Sequence, residues 1–225
     1  MPSMKNYQHI RAVIAKDLQL ELRSKYAINT VLAFVGSALL VTLFALKAHQ
    51  LDAGPQSGLI WIIILFAALS TLSRSFVLET ERHTFDLLRL HCEPFVVYTG
   101  KLIYNFLFSL FVNGITFVIY LLLVDLAIQD FAALSVTLLL GTVGIAGVTT
   151  LMAAIVSRAD RRGAIFSVLS LPLLIPLVLI LARTTRASLV TGQMQGFGND
   201  VAALIGFAGV TITAGIVLFD FIWQD

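Results

Sequence analysis

Apolar residues run almost unbroken through six stretches, Ile28–Leu46, Gly58–Leu78, Leu102–Val124, Leu134–Val156, Ala164–Ala182 and Val201–Trp223, with polar side chains gathered between them. Each has the roughly 20 residues that a helix needs to cross a hydrocarbon layer about 30 Å thick. Backbone in lipid must satisfy its own hydrogen bonds, so continuous apolar runs predict helices; the alternation expected of a membrane barrel is absent. No internal repeat or low-complexity linker divides the chain. The pattern therefore predicts one all-α transmembrane domain over residues 1–225, an integral bundle of six transmembrane helices across 28–223. Residues 1–27 differ. In "YQHIRAVIAKDLQLELRSKY", Ile10, Val13, Ile14, Leu18 and Leu22 recur at helical spacing, flanked by Arg11, Lys16, Arg23 and Lys25. This is an amphipathic interfacial helix, an elbow along the inner leaflet. The pattern leaves open whether it also packs on a partner or serves as an anchor alone. The first apolar run is too long and too late for an ordinary secretory signal and is expected to stay in the mature protein.

Composition sharpens this picture. The chain is 58% hydrophobic and 12% charged, with a mean hydropathy of +0.92. A soluble domain carries about twice that share of charge. A net charge of +2 gives no basis for a nucleic-acid partner, and lipid is the expected surrounding. Cys92 is the one cysteine, which excludes an intrachain disulfide or a cysteine-based metal cluster. Twelve Lys and Arg fall on the side of the N-terminus and three (Lys47, Arg183, Arg186) on the other. By the positive-inside rule both termini are cytoplasmic.

Candidate chemistry concentrates in the cytoplasmic segment 79–101, within "SRSFVLETERHTFDLLRLHCEPFVVYTGKL". Glu79 and Glu81 leave the second span, Thr84, Leu87 and Leu88 form a short amphipathic turn, Pro94 interrupts it, and Gly100-Lys101 opens the third span. A short helix between two spans can be gripped by a soluble protein; a solvated interfacial turn is the plainer alternative. The chain holds no nucleotide cradle: a G-x-x-x-x-G-K-[ST] motif through Gly100-Lys101 would need Gly at Phe95 and Ser or Thr at Leu102. No metal-ligand spacing or nucleophile motif appears, so no catalytic residue is assigned and no enzyme activity is expected. No paired intramembrane carboxylates suggest ion coupling, and Asp220 sits near the inner end of the last run, within reach of interfacial water. Among the histidines, His49 alone lies in an outer loop. Trp61 and Trp223 are expected in interfacial belts. Gly141, Gly144 and Gly147 recur every third residue in the fourth span, as close helix packing requires. Pro172 and Pro176 sit in "SVLSLPLLIPLVLILA", where missing donors predict a break that is either a hinge or a fixed kink.

"E-x-E-x-x-T-x-x-L-L" followed by Pro94 and "GK" resembles the coupling segment of ABC-2-type transporter permeases. "KDLQLELRSKY", "LIWIIILF", "RSFVLETERHTFDLLRL", "LLLGTVGIAGVTTLMAAIVSR", the proline run and "LFDFIWQD", in that order, narrow the resemblance to the CcmB family, the haem exporter B permeases of cytochrome c maturation. His83 stands where that family usually has Gly, and "HCEP" replaces a plainer approach to the proline. The resemblance implies a permease subunit of an ABC-type complex that transports or releases haem. It implies a separate CcmA-like ABC ATPase subunit binding ATP, with Glu79, Glu81, Thr84, Leu87, Leu88, Pro94, Gly100 and Lys101 as the ATPase-coupling set. It also implies a CcmC-like haem-handling membrane subunit. Two nucleotide sites imply two membrane subunits, a homodimer of this chain or a pair with another. Haem is then cargo rather than cofactor, with His49 the residue placed to meet it outside. A permease for a lipid, glycan or drug, and a membrane scaffold that forms no path, are the alternatives that the residues leave open.

Overall fold

The structure, a computed structural model, describes residues 4–47, 50–72, 76, 79, 88–90, 92–124, 127–157, 162–190 and 194–224. Its long helices, in chain order, are α1 (Met4–Ser24), α2 (Tyr26–Phe44), α3 (Ala53–Thr71), α4 (Pro94–Val124), α5 (Phe131–Val156), α6 (Arg162–Leu189) and α7 (Phe197–Gln224). Among the described residues there is no strand, and the last six of these helices are each long and apolar enough to cross a membrane. The all-α bundle read from the hydropathy pattern is the fold observed.

Local chemistry sets the helix ends. Lys25 adopts φ 52°, ψ 15°, turning the chain between α1 and α2 while its own N–H donates to Glu21 O at 2.7 Å. The first amides of a helix lack partners within it. Here the Glu21 carboxylate reaches over the elbow and accepts from Ile28 N–H at 3.0 Å. Pro94 stands at the first position of α4, where its fixed φ suits the turn and its missing N–H would have had no helical partner. Asp130 caps α5 by accepting from Ala133 N–H at 2.9 Å. Several helices outrun their apolar cores: α4 begins at Pro94, about two turns before Leu102. At its C-terminal end α6 continues through Arg183 and Arg186 to Leu189. Packing and water at the interface accept polar residues that a hydropathy boundary leaves out.

The bundle is organised round α5, which packs on α4, α6 and α7. Its glycines face three neighbours. A Cβ at Gly141 would lie 2.5 Å from the Trp61 ring of α3, one at Gly144 3.0 Å from Leu177 of α6, and one at Gly147 2.8 Å from Thr211 Oγ1 of α7. Without a hydrophobic force between helices in lipid, such close approach is how membrane interfaces gain dispersion contact. α2 lies at the rim against α3 and α4, and α1 lies on α4.

Three expectations need correction. Trp61 is fully buried rather than interfacial; its Nε1–H donates to Thr185 Oγ1 at 2.8 Å and its ring meets Phe117 edge-on. Trp223 is likewise buried, its ring tilted at 45° against Phe219. The apolar stripe of α1 is split: Val13 is buried against α4, whereas Leu18 and Leu22 stay 48% and 55% exposed on the outer face. Asp17, a charged residue, takes the inward place that the stripe assigned to Leu18. α6 is one helix through Pro172 and Pro176, which lie on its exposed side while Leu174, Leu177 and Leu181 face inward.

Candidate functional site

Near the N-terminal end of α4, Gly100 lets α1 come unusually close: a Cβ there would sit 2.8 Å from Val13 Cγ1 and 2.9 Å from Val13 Cβ. The contact places Lys16 and Asp17, one turn farther along α1, beside the next residue of α4, Lys101. Lys101 is 1% exposed, and its ammonium lies 2.8 Å from Asp17 Oδ2, 3.1 Å from Asp17 Oδ1 and 2.8 Å from Glu79 Oε1. Lys16 bridges the same two acids, paired with Glu79 and 3.6 Å from Asp17 Oδ1. The Phe76 ring lies 5.8 Å from the Lys101 ammonium. Two lysines and two carboxylates thus cancel charge, Lys101, Asp17 and Glu79 buried and Lys16 reaching in from a partly exposed position. Burial of an ion is costly unless such partners surround it.

The cluster continues into the membrane as a polar seam. Lys101, Asn105, Ser109, Asn113, Thr116 and Tyr120 recur at intervals of one helical turn along α4, and all are buried. Asn105 Nδ2 donates to Thr150 Oγ1 of α5 at 2.8 Å, and Asn113 Nδ2 to Thr142 Oγ1 at 3.1 Å. Toward the C-terminal end of α4, Tyr120 and Thr185 border a small cavity that also touches Gln56 and Ser57 of α3, with room for about one water molecule. Interhelical hydrogen bonds of this kind contribute about 0.6 kcal/mol each in lipid, at most about 1.7. Their effect is to fix register between α4 and α5 more than to add stability.

A second anchor lies beside the cluster, sharing Phe76 with it. Phe219 of α7 is packed by Phe76, Tyr98 and Trp223, with ring centroids 5.2, 5.4 and 5.4 Å away. The Arg89 guanidinium lies 5.9 Å over the Trp223 ring. Leu88 and Cys92 pack partly buried against the core, while Leu90 is 77% exposed and Phe95 and Glu93 also face outward. Burial raises the Cys92 thiol pKa above its ordinary value, opposed in part by the nearby Lys16 charge.

Of the coupling residues read from the sequence, Glu79, Gly100 and Lys101 come together, but they face inward. Pro94 starts α4 and Leu88 packs inward at a distance from them. Glu81, Thr84 and Leu87 lie outside the described residues, as does His49. Among the described residues, no group of three His, Cys, Asp or Glu could hold a metal ion. Sequence reading missed Asp17, because one acid among lysines looks like a solvated face. It also missed the α4 seam, although the turn-by-turn spacing of Asn105, Ser109 and Asn113 was a legible signal.

Comparison with known proteins decides the lineage. The profile of the family described as CcmB protein matches residues 8–221. The chain belongs to the CcmB family. The match takes in α2–α6 whole and all but the ends of α1 and α7, so the cluster and seam lie within the family's common region. Among its relatives, Heme exporter protein B of Rhodobacter capsulatus is 28% identical over 207 residues, covering 90% of this chain and 93% of that protein. Heme exporter protein B of Bradyrhizobium diazoefficiens is 27% identical over 218 residues, with 92% and 93% covered. That of Pseudomonas aeruginosa is 26% identical over 212 residues, with 91% and 94% covered. At this coverage the likeness runs along nearly the whole chain rather than through one shared motif.

Proposed function

We propose that this CcmB-family chain is the membrane permease subunit of an ABC-type complex that exports haem for cytochrome c maturation. The observation that carries the reading is the family match over 8–221, joined to full-length relatives that bear the name Heme exporter protein B. Six membrane-long helices supply the frame that a permease needs. ATP is bound by a separate CcmA-like ATPase, and a CcmC-like membrane subunit handles haem beside it. Two copies of this chain serve the two nucleotide sites, with both termini cytoplasmic.

The ATPase docks on the inner face along 79–101. Exposed Leu90, Phe95 and Glu93 offer the contact surface, and the buried charges behind them hold that surface in place. Haem is the cargo: an apolar macrocycle with anionic propionates suits a bundle whose interior carries neutral hydroxyls and amides instead of paired charges along most of its length.

The test is reconstitution of the chain with its ATPase and haem-handling partners in proteoliposomes, with haem appearance at the outer face as the measurement. ATP-dependent haem appearance is the expected result. A complex that hydrolyses ATP and moves no haem, together with normal cytochrome c assembly in cells lacking this chain, would overturn the reading.

A further inference from the structure

Three separate parts of the chain meet at one ammonium group. α1 brings Lys16 and Asp17, the segment after α3 brings Glu79, and α4 brings Lys101. A second tie lies farther along α1, where Asn6 Nδ2 donates to Glu93 Oε2 at 3.0 Å. Removing any one member of a buried ionic group leaves its partners as uncompensated charges, so such a group opens only at high cost. Beside it, Gly100 and Val13 hold the α1 and α4 backbones close, with no soft layer between them that could yield. α4 is in turn bonded to α5 through Asn105–Thr150 and Asn113–Thr142, and α5 is the centre of the bundle.

We propose that Lys101 is a positioning residue that fastens α1 and Glu79 to α4 as one rigid body. A push on the inner face enters the bundle through this body and the α4–α5 seam, by a route that does not pass through the prolines of α6. The source of the push rests on the ATPase partner proposed above; the tie itself does not.

The experiment uses the full chain in nanodiscs, alone and with its ATPase, read by hydrogen–deuterium exchange. In Lys101→Met, and more mildly in Asp17→Asn, exchange over residues 4–24 of the chain alone should rise by about tenfold or more, since a stranded charge favours release of α1. In the complex, ATP should change exchange at the outer ends of α4 and α5 in the wild type, and this change should be lost in Lys101→Met while ATP hydrolysis persists. A covalent tie should replace the ionic one. Val13→Cys with Gly100→Cys, in a Cys92→Ser background, brings two β-carbons to 2.9 Å, so a small outward shift reaches the roughly 3.5–4.5 Å of a disulfide. Added to Lys101→Met and oxidised, this pair should restore the ATP-dependent change, and reduction should remove it again.

Unchanged exchange over 4–24 in both single variants would overturn the tie. So would a disulfide, with Lys101 intact, that abolishes the ATP-dependent change until it is reduced, for the joint would then have to open in each cycle. Haem movement is followed in parallel. Its absence in the wild-type complex would sink the haem reading and leave the exchange results to decide the tie.

Discussion

Lys25 and Trp61 show how single residues depart from what their type suggests. A non-glycine residue at φ 52° bears a steric cost of about 1–2 kcal/mol. Lys25→Gly should recover part of it and raise the thermal midpoint in detergent, whereas Lys25→Val should lower it. An unchanged midpoint in both would mean that the elbow relaxes freely. Trp61→Phe leaves an aromatic ring but deletes the Nε1–H bond to Thr185 and part of the fully buried indole. A loss of about 1 kcal/mol is expected, measured as a shift in the unfolding transition of the purified protein. The Cys92 thiol has a raised pKa, so at neutral pH it holds less thiolate than a free cysteine. Its alkylation should be slow at pH 7 and accelerate as pH rises. Fast labelling at pH 7 would contradict that burial.

At the scale of helices, close contact and orientation decide what a substitution does. Gly147 faces Thr211 of α7, so Gly147→Val overpacks the α5–α7 contact and should cost about 1–3 kcal/mol, seen as lower yield and a lower midpoint. Gly36 of α2 has nothing near it and should accept Ala without loss. Pro172 and Pro176 lie on the outward side of a continuous α6, away from the Leu177 and Leu181 contacts with α5. Replacing both with Ala restores two backbone donors where no neighbour within the chain is displaced. The double variant should assemble with its partners at normal yield and retain cytochrome c output. Normal yield with lost output would instead establish a hinge in α6.

For the molecule as a whole, the question is where a partner's grip becomes movement in the bundle. Glu79 is buried among Lys16, Asp17 and Lys101, so Glu79→Lys places a third ammonium beside one acid and should fail at the level of folded protein. Leu90→Asp with Phe95→Asp changes the outward surface alone. That variant should insert normally yet lose co-purification of the ATPase by at least about tenfold, since apolar anchors carry most of the energy of such contacts. Normal co-purification would move the docking surface elsewhere.

Span number, helical class and family were all legible in the sequence, because each rests on information carried along the chain: runs of apolar residues, charge between them, and ordered motifs. A run such as Leu134–Val156 must be helical in lipid whatever surrounds it, since no other local structure satisfies its backbone. The candidate site was legible in part. Glu79, Gly100 and Lys101 stood out, but read as exposed coupling residues, because a charged loop is solvated unless something covers it. What covers it is α1, some eighty residues away from Lys101, and only tertiary structure could bring Asp17 there. The same holds for Trp61, whose partners Phe117 and Thr185 are distant in sequence. Hydropathy selects the solvent of each segment; which face meets which neighbour follows from side-chain shape and from the need to pair every buried charge, and those are settled when the helices pack.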